Sequence, residues 1–225
     1  MGGPIGVMSP KFLLKAGMLL VSARLDSHAV TATIDPSSPV TIVDPDVVRR
    51  IDRVPTEPGP AQMRKVHLIG MDHAEISIRN VSVGVVPAGA GMAIGSDALS
   101  DMVIGFDFAR SRLRIRDRSE QARAGHGLTA VPLDWGAGKC LTMPGVDAQG
   151  AAVKVALLPG ASAQSPSSER REVTLGSAKV EAWAPAPATC PGSDVSMDWS
   201  GFGKTWVELD MAHHRLWLAA TVPTI

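Results

Sequence analysis

The sequence predicts an all-β protein made of two related lobes, and two observations lead to this prediction. Seventeen prolines and 22 glycines divide the 225 residues into short runs. Several runs alternate apolar and polar residues with the period of a half-buried strand, as in residues 19–34 and 74–86. Similar segments then recur in the same order in both halves of the chain, so a duplicated β-lobe accounts for its length.

The clearest internal repeat is a segment near the end of each half. Residues 107–115 read DFARSRLRI and residues 210–218 read DMAHHRLWL, so both fit the pattern D-[FM]-A-x-x-R-L-x-[IL]. Upstream, residues 94–98 (IGSDA) are matched with residues 195–199 (VSMDW), which implies a two-residue insertion in the second half. Each half also opens with a predicted hairpin that ends in a proline-containing loop. We therefore expect two lobes related by pseudo-two-fold symmetry.

The repeat predicts a domain organisation. The N-terminal lobe is expected to span residues 1–117 and the C-terminal lobe residues 129–225. The segment 118–128 between them is interpreted as a linker, because it is polar and interrupts the strand pattern. One short helix is expected after Asp44, which is a suitable N-cap residue, since Pro45 is favoured at the first helical position.

Composition and motifs argue against several classes of partner. Lysine plus arginine equals aspartate plus glutamate at 22 each, so no net field attracts nucleic acid. No apolar run reaches the roughly 18 residues of a membrane helix, so no membrane partner is expected. No cofactor motif is present, and His213 and His214 are interpreted as turn residues rather than metal ligands, so neither a cofactor nor a metal is expected.

Two properties remain open at this level. The two cysteines, Cys140 and Cys190, fit either one disulfide or two free thiols. The compartment is periplasmic or secreted if a signal peptide has been removed, and otherwise cytoplasmic.

The repeated segments resemble the retropepsin-like and pepsin-like aspartic protease superfamily, including bacterial aspartyl-protease-like proteins, over roughly residues 18–218. The resemblance makes residues 33–35 the end of the strand that enters the catalytic loop. It makes residues 64–86 the flap hairpin and residues 93–95 (AIG) the hydrophobic-hydrophobic-glycine motif of a ψ-shaped loop. It implies a bilobal acid-protease-like fold with two β-barrel-like lobes.

The motifs that would carry catalysis depart from the family pattern. Such a protease uses two aspartates that share a proton and activate a water molecule. Asp35 stands at the first position, but its loop reads DPSS where the family has DTGA. In the second loop, residues 157–161 (LLPGA), Leu158 stands where the second aspartate belongs, and Ser196 is assigned to the position of the ψ-loop glycine. Activity as an enzyme is therefore doubtful, with Asp35 as a catalytic remnant or an ordinary turn residue.

Two functions follow from this resemblance. The first is non-catalytic binding of an extended peptide or protein segment in a cleft between the lobes. The residues expected to contact such a ligand are Ser37, Ser38, His67, Gly70, Leu158 and Gly160. The second is an aspartic endopeptidase that assembles as a homodimer, with Asp35 from each chain forming the dyad. The oligomeric state is left open by the sequence.

Overall fold

The computed structural model of the protein describes residues 11–52, 59–69, 75–85, 91–100, 102–117, 128–136, 140–160 and 169–219. These residues form a predominantly β structure, which confirms the predicted all-β class. The helices are α1 (Pro45–Asp52), α2 (Ser96–Leu99) and one 3-10 helix (Trp199–Phe202). Asp44 caps α1 as predicted, because its Oδ1 accepts a hydrogen bond of 3.0 Å from Asp46 N.

The first half of the chain forms a seven-stranded sheet in the order β1-β2-β3-β7-β4-β6-β5. Strand β2 also pairs with β5, which closes six of the strands into a barrel-like ring. The strands are β1 (Phe12–Lys15), β2 (Met18–Leu25), β3 (His28–Ile34), β4 (Ile42–Val43), β5 (Gly59–Ile69), β6 (Glu75–Val85) and β7 (Met92–Ile94).

The second half forms a six-stranded sheet in the order β11-β12-β13-β16-β15-β14, which β12 and β14 close in the same way. Its strands are β11 (Asp134–Trp135), β12 (Leu141–Asp147), β13 (Ala152–Leu157), β14 (Glu169–Leu175), β15 (Ala178–Ala184) and β16 (Val195–Met197). In the first sheet, β3, which ends just before Asp35, pairs in parallel with β7. In the second sheet, β13, which ends just before Leu158, pairs in parallel with β16 in the same way.

A third sheet of five strands joins the two halves, in the order β10-β18-β17-β8-β9. These strands are β8 (Met102–Asp107), β9 (Arg112–Asp117), β10 (Thr129–Pro132), β17 (Trp206–Asp210) and β18 (Arg215–Ala219). The hairpins β8–β9 and β17–β18 share one register, since Asp107 pairs with Arg112 and Asp210 with Arg215. The repeat predicted for residues 107–115 and 210–218 is therefore present in the structure.

The strand registers correct the sequence-based matching of residues 94–98 in the first half with residues 195–199 in the second. Asp35 N donates to Ile94 O at 3.0 Å, and Leu158 N donates to Met197 O at 2.8 Å. Asp35 and Leu158 are therefore equivalent, and so are the residues that follow Ile94 and Met197, namely Gly95 and Asp198. The matching of residues 94–98 with 195–199 was wrong by two positions.

The two-residue insertion that this matching implied does not exist. Gly95 and Asp107 are separated by the same number of residues as Asp198 and Asp210. Ser196 is buried inside strand β16. The residue at the position of the ψ-loop glycine is therefore Asp198 rather than Ser196.

Aromatic side chains fill the space between the two halves. Phe106 of β8 lies 4.9 Å from Trp199, measured between ring centroids, and Phe108 lies 5.9 Å from Phe202. Phe12 packs edge-on against Phe108 at 5.4 Å. Trp199, Phe106 and Phe202 are fully buried, so this cluster forms a continuous apolar contact between the halves.

The two cysteines form a disulfide within the second half. The Cα atoms of Cys140 and Cys190 are 5.6 Å apart, and both residues are buried. Residues 70–74 and 86 of the predicted flap hairpin, including Gly70, and the predicted linker except its last residue lie outside the described residues. Of the helices described, none has the length and apolar composition to cross a membrane.

Candidate functional site

The candidate site is the centre of the molecule, where the loop after β3 meets elements of the second half. Asp35 follows directly after the buried residue Ile34, and its backbone is fixed on both sides. Its N–H donates to Ile94 O at 3.0 Å, and its carbonyl accepts from Ser38 N at 3.1 Å. The following Pro36 is buried. The position of Asp35 is therefore set by the sheet rather than by a flexible turn.

The carboxylate of Asp35 is half-buried and is oriented by one neighbour. Its Oδ1 accepts hydrogen bonds from Ser37 N, at 3.0 Å, and from Ser37 Oγ. Among the described residues, none donates to Oδ2, and no lysine, arginine or histidine forms an ion pair with this carboxylate. Asp35 is thus a single carboxylate with one oxygen held by Ser37.

The equivalent loop of the second half presents an apolar residue. Leu158 is half-buried and packs against Ala156 and the Cys140–Cys190 disulfide. Two residues later, Gly160 has a φ of +79° and donates from its N–H to Gly17 O at 3.3 Å. The second loop therefore contacts the β1–β2 turn of the first half and contributes no second carboxylate at the motif position.

Asp198 is a buried carboxylate that sequence reasoning assigned to another position. Its Oδ1 accepts from Ser200 N at 2.9 Å and from Ser200 Oγ, so it caps the 3-10 helix. It also lies against Gly17, since a Cβ on Gly17 would come 1.9 Å from Asp198 Oδ2. Asp198 can be identified in the sequence by its spacing. It precedes Asp210 by the same number of residues as its equivalent, Gly95, precedes Asp107.

The two halves use different partners for equivalent backbone groups. In the first half, Ser96 N donates to Ser38 O at 2.8 Å, within the same lobe. In the second half, the equivalent Trp199 N donates to Gly17 O at 3.4 Å, in the other lobe. The β1–β2 turn thus enters the central loops of the second half and replaces a contact within that half.

Trp199 makes the central hydrogen bond between the halves. Its indole Nε1 donates to Ile34 O at 3.1 Å, and both groups are buried. Ile34 immediately precedes Asp35, so the second half is fixed directly to the base of the Asp35 loop. Neither Trp199 nor Gly17 was predicted as a site residue, because their roles depend on contacts between the halves.

The residues predicted to bind a ligand lie in different surroundings. Ser37 contacts the Asp35 carboxylate, whereas the Ser38 hydroxyl donates to Val40 O at 2.6 Å and stabilises its own loop. His67 lies on β5 opposite Arg24, which in turn faces Ala29. Because Ala29 precedes Asp35 by six residues, the level of His67 is about 20 Å along the strand from Asp35. The structure thus brings Ser37 to Asp35 and leaves His67 at the other end of the hairpin.

An arginine anchors the β5–β6 hairpin. Arg64 on β5 contacts Asp52 at the end of α1, with an Nη2–Oδ2 distance of 2.6 Å, and Asp26 in the β2–β3 turn, with an Nη1–Oδ2 distance of 3.0 Å. The hydrogen bond from Arg64, together with its charge, lowers the pKa of Asp52 from the ordinary value of 3.8. The same hydrogen bond raises the pKa of Arg64. Strand β5 is therefore fixed to both the β2–β3 turn and the end of α1.

This arrangement limits the chemistry of the centre. A dyad mechanism needs two adjacent carboxylates, one acting as base and the other as acid. Leu158 occupies the second motif position, and Asp198 is fully buried as a helix cap. Within the described ranges, no group of three or more histidine, cysteine, aspartate or glutamate side chains is placed to hold a metal ion. The geometry is that of a fixed acceptor site, with one oriented carboxylate.

Comparisons with known proteins show similarity in structure alone. The chain is similar to basic 7S globulin from soybean, at 8% sequence identity with a TM-score of 0.54, over 96% of this chain and 95% of that chain. It is also similar to conglutin gamma, a basic 7S globulin from lupine seeds, at 16% identity with a TM-score of 0.38, over 49% of this chain and 40% of that chain. No protein-family model matches the chain, and no curated protein matches it. The soybean protein therefore shares the overall fold with this chain, and the likeness extends no further than the fold.

Proposed function

We propose that this protein is a catalytically inactive member of the acid-protease fold that binds an extended peptide segment beside the Asp35 loop. The observation that carries the proposal is the replacement of the second carboxylate by Leu158, which packs on a disulfide in the equivalent loop. One carboxylate cannot act as base and acid in the same step, whereas a fixed acceptor beside exposed apolar residues suits binding.

The surroundings of Asp35 favour an extended ligand. Val40, in the loop that follows Asp35, is an exposed apolar residue, with 49% of its surface accessible. Leu158 is half-buried on the equivalent loop of the second half. An extended segment presents alternate side chains to such apolar positions, and its backbone can pair with an exposed strand edge. Affinity would then come from backbone hydrogen bonds and specificity from the side chains.

The homodimeric protease is the less favoured alternative. A dyad with Asp35 from a second chain requires that chain to approach the Asp35 loop from the side of the pseudo-two-fold axis. The base of this loop is already held by Trp199 of the same chain, through the bond to Ile34 O. The Leu158 loop also contacts Gly17 through Gly160. A second chain would have to displace these buried contacts.

The proposal is tested by peptide binding with two matched variants. Purified protein is titrated against a library of extended peptides by fluorescence polarisation, and the best binder is then measured with Val40→Asn and Val146→Asn. Both valines are exposed, but Val146 lies at the far end of the β12–β13 hairpin, opposite Ala152. We expect Val40→Asn to weaken binding at least tenfold and Val146→Asn to leave it unchanged. Absence of any binder, or equal effects of the two variants, would contradict the proposal.

A further inference from the structure

We propose that Asp35 anchors a cationic group of the ligand, a lysine ammonium or an arginine guanidinium, in place of a catalytic role. This inference rests on the proposed peptide-binding function and adds the chemical class of the side chain that the site selects. Three properties of Asp35 support it: its rigidity, the availability of one carboxylate oxygen, and its uncompensated charge.

The rigidity of Asp35 comes from four hydrogen bonds, three within its own loop and one to strand β7. Its backbone is bonded to Ile94 and Ser38, and its Oδ1 accepts from both the N–H and the hydroxyl of Ser37. A side chain held in this way loses little further rotational freedom when a ligand binds. Preorganised acceptors of this kind give a larger net gain on binding than flexible surface carboxylates.

The second carboxylate oxygen of Asp35 is available to a ligand. Both donors from Ser37 go to Oδ1, and none of the described residues donates to Oδ2. Asp35 as a residue is only half-buried, so part of its surface contacts solvent. A ligand donor can therefore reach Oδ2 without displacing Ser37.

The charge of Asp35 lacks a partner within the described part of the chain. Three other carboxylates of the first half are paired with cations, Asp26 and Asp52 with Arg64, and Asp107 with Arg110. Asp44 and Asp97 accept hydrogen bonds from neutral donors, but both act within their own loops, Asp44 as the cap of α1 and Asp97 as the acceptor for the Thr41 hydroxyl. Asp35 receives only neutral donors. A half-buried carboxylate gains most from a cationic donor, because the attraction between opposite charges adds to the hydrogen bond. The complementary ligand group is therefore a cation.

The test compares ligands that differ only in charge. The best binding peptide is prepared with lysine or with norleucine at each position in turn, and affinities are measured for the wild type, Asp35→Asn and Asp46→Asn. Asp46 is an exposed aspartate on α1 that pairs with Arg49, so it serves as the matched control. At one peptide position we expect lysine to bind about 10-fold to 100-fold more tightly than norleucine. This preference should disappear in Asp35→Asn and persist in Asp46→Asn.

A second measurement makes the anchor testable without any peptide. N-acetyl-lysine methylamide and N-acetyl-norleucine methylamide are titrated separately at millimolar concentration, and the backbone amides of Asp35 and Ser37 are followed by nuclear magnetic resonance. We expect shifts with the lysine compound alone, lost in Asp35→Asn. Equal responses to the two compounds, or no response, would overturn the anchor even if peptides bind. A selective response to lysine without any peptide binder would support the anchor and refute the proposed function.

Discussion

The carboxylate of Asp198 lies where a side chain of Gly17 would otherwise stand, since a Cβ on Gly17 would be 1.9 Å from Asp198 Oδ2. Gly17 belongs to the β1–β2 turn of the first half, and Asp198 follows β16 of the second half. The two halves therefore approach each other closely at Asp198, the residue equivalent to Gly95 of the first half.

This contact predicts that Gly17→Ala is strongly destabilising. Gly17 has a φ of +72°, and the added methyl group would also collide with Asp198. We expect a loss of about 3 kcal/mol in the free energy of unfolding, measured by urea denaturation. Gly150→Ala is the control, because Gly150 has a φ of +85° but no atom within 4 Å of the added Cβ. It should lose only about 1 kcal/mol. Equal losses of unfolding free energy in the two variants would contradict the close contact between Gly17 and Asp198.

Replacement of Trp199 by phenylalanine tests the bond to the base of the Asp35 loop. The substitution keeps an aromatic ring but leaves the buried Ile34 carbonyl without its donor. We expect the free energy of unfolding, measured by denaturation monitored with circular dichroism, to fall by about 1–3 kcal/mol. Trp217→Phe provides the comparison, because Trp217 is only half-buried and packs beside Arg215. A loss no larger for Trp199→Phe than for Trp217→Phe would contradict the role of this bond.

The Arg64–Asp52 pair predicts a defined pH dependence of stability. The pKa of Asp52 is lower in the folded protein than its ordinary value of 3.8. The pair therefore stabilises the fold fully at pH values above this ordinary pKa. This contribution is lost as the pH falls through the folded pKa. Asp52→Asn should cost about 0.5–1 kcal/mol at pH 7 and progressively less below about pH 4. Urea denaturation of both proteins from pH 7 to pH 2 measures the difference, and a constant difference would contradict the pairing.

The disulfide predicts that removal of this bond strongly lowers the stability of the protein. It closes a loop with a sequence separation of 50 residues, and its removal restores entropy to the unfolded chain. Cys140→Ser with Cys190→Ser should lower the free energy of unfolding by about 4 kcal/mol. Denaturation of this variant and of the unreduced wild type gives the difference. Two thiols that react with a maleimide in the unfolded, unreduced protein would show that the bond is absent.

The sequence predicted the all-β class, the repeat of the closing hairpins and the equivalence of Asp35 with Leu158. These features depend on local alternation and on segments that match in order. The alignment of the ψ-loop failed because two acidic residues, Asp97 and Asp198, were matched by type rather than by spacing. The contacts of Gly17 and Trp199 could not be predicted, since they depend on how the two halves pack.

The most direct measurement is an assay for peptide hydrolysis from pH 3 to pH 7, with a diverse peptide library and mass-spectrometric detection. The central claim is that Asp35 is a single oriented carboxylate and that Leu158 stands at the equivalent position of the second half. The partner that proteolysis requires is therefore missing. We predict no cleavage above the level found for Asp35→Asn. Cleavage by the wild type that Asp35→Asn abolishes would contradict the claim, and a dimer in light scattering of the same sample would then identify the homodimeric protease.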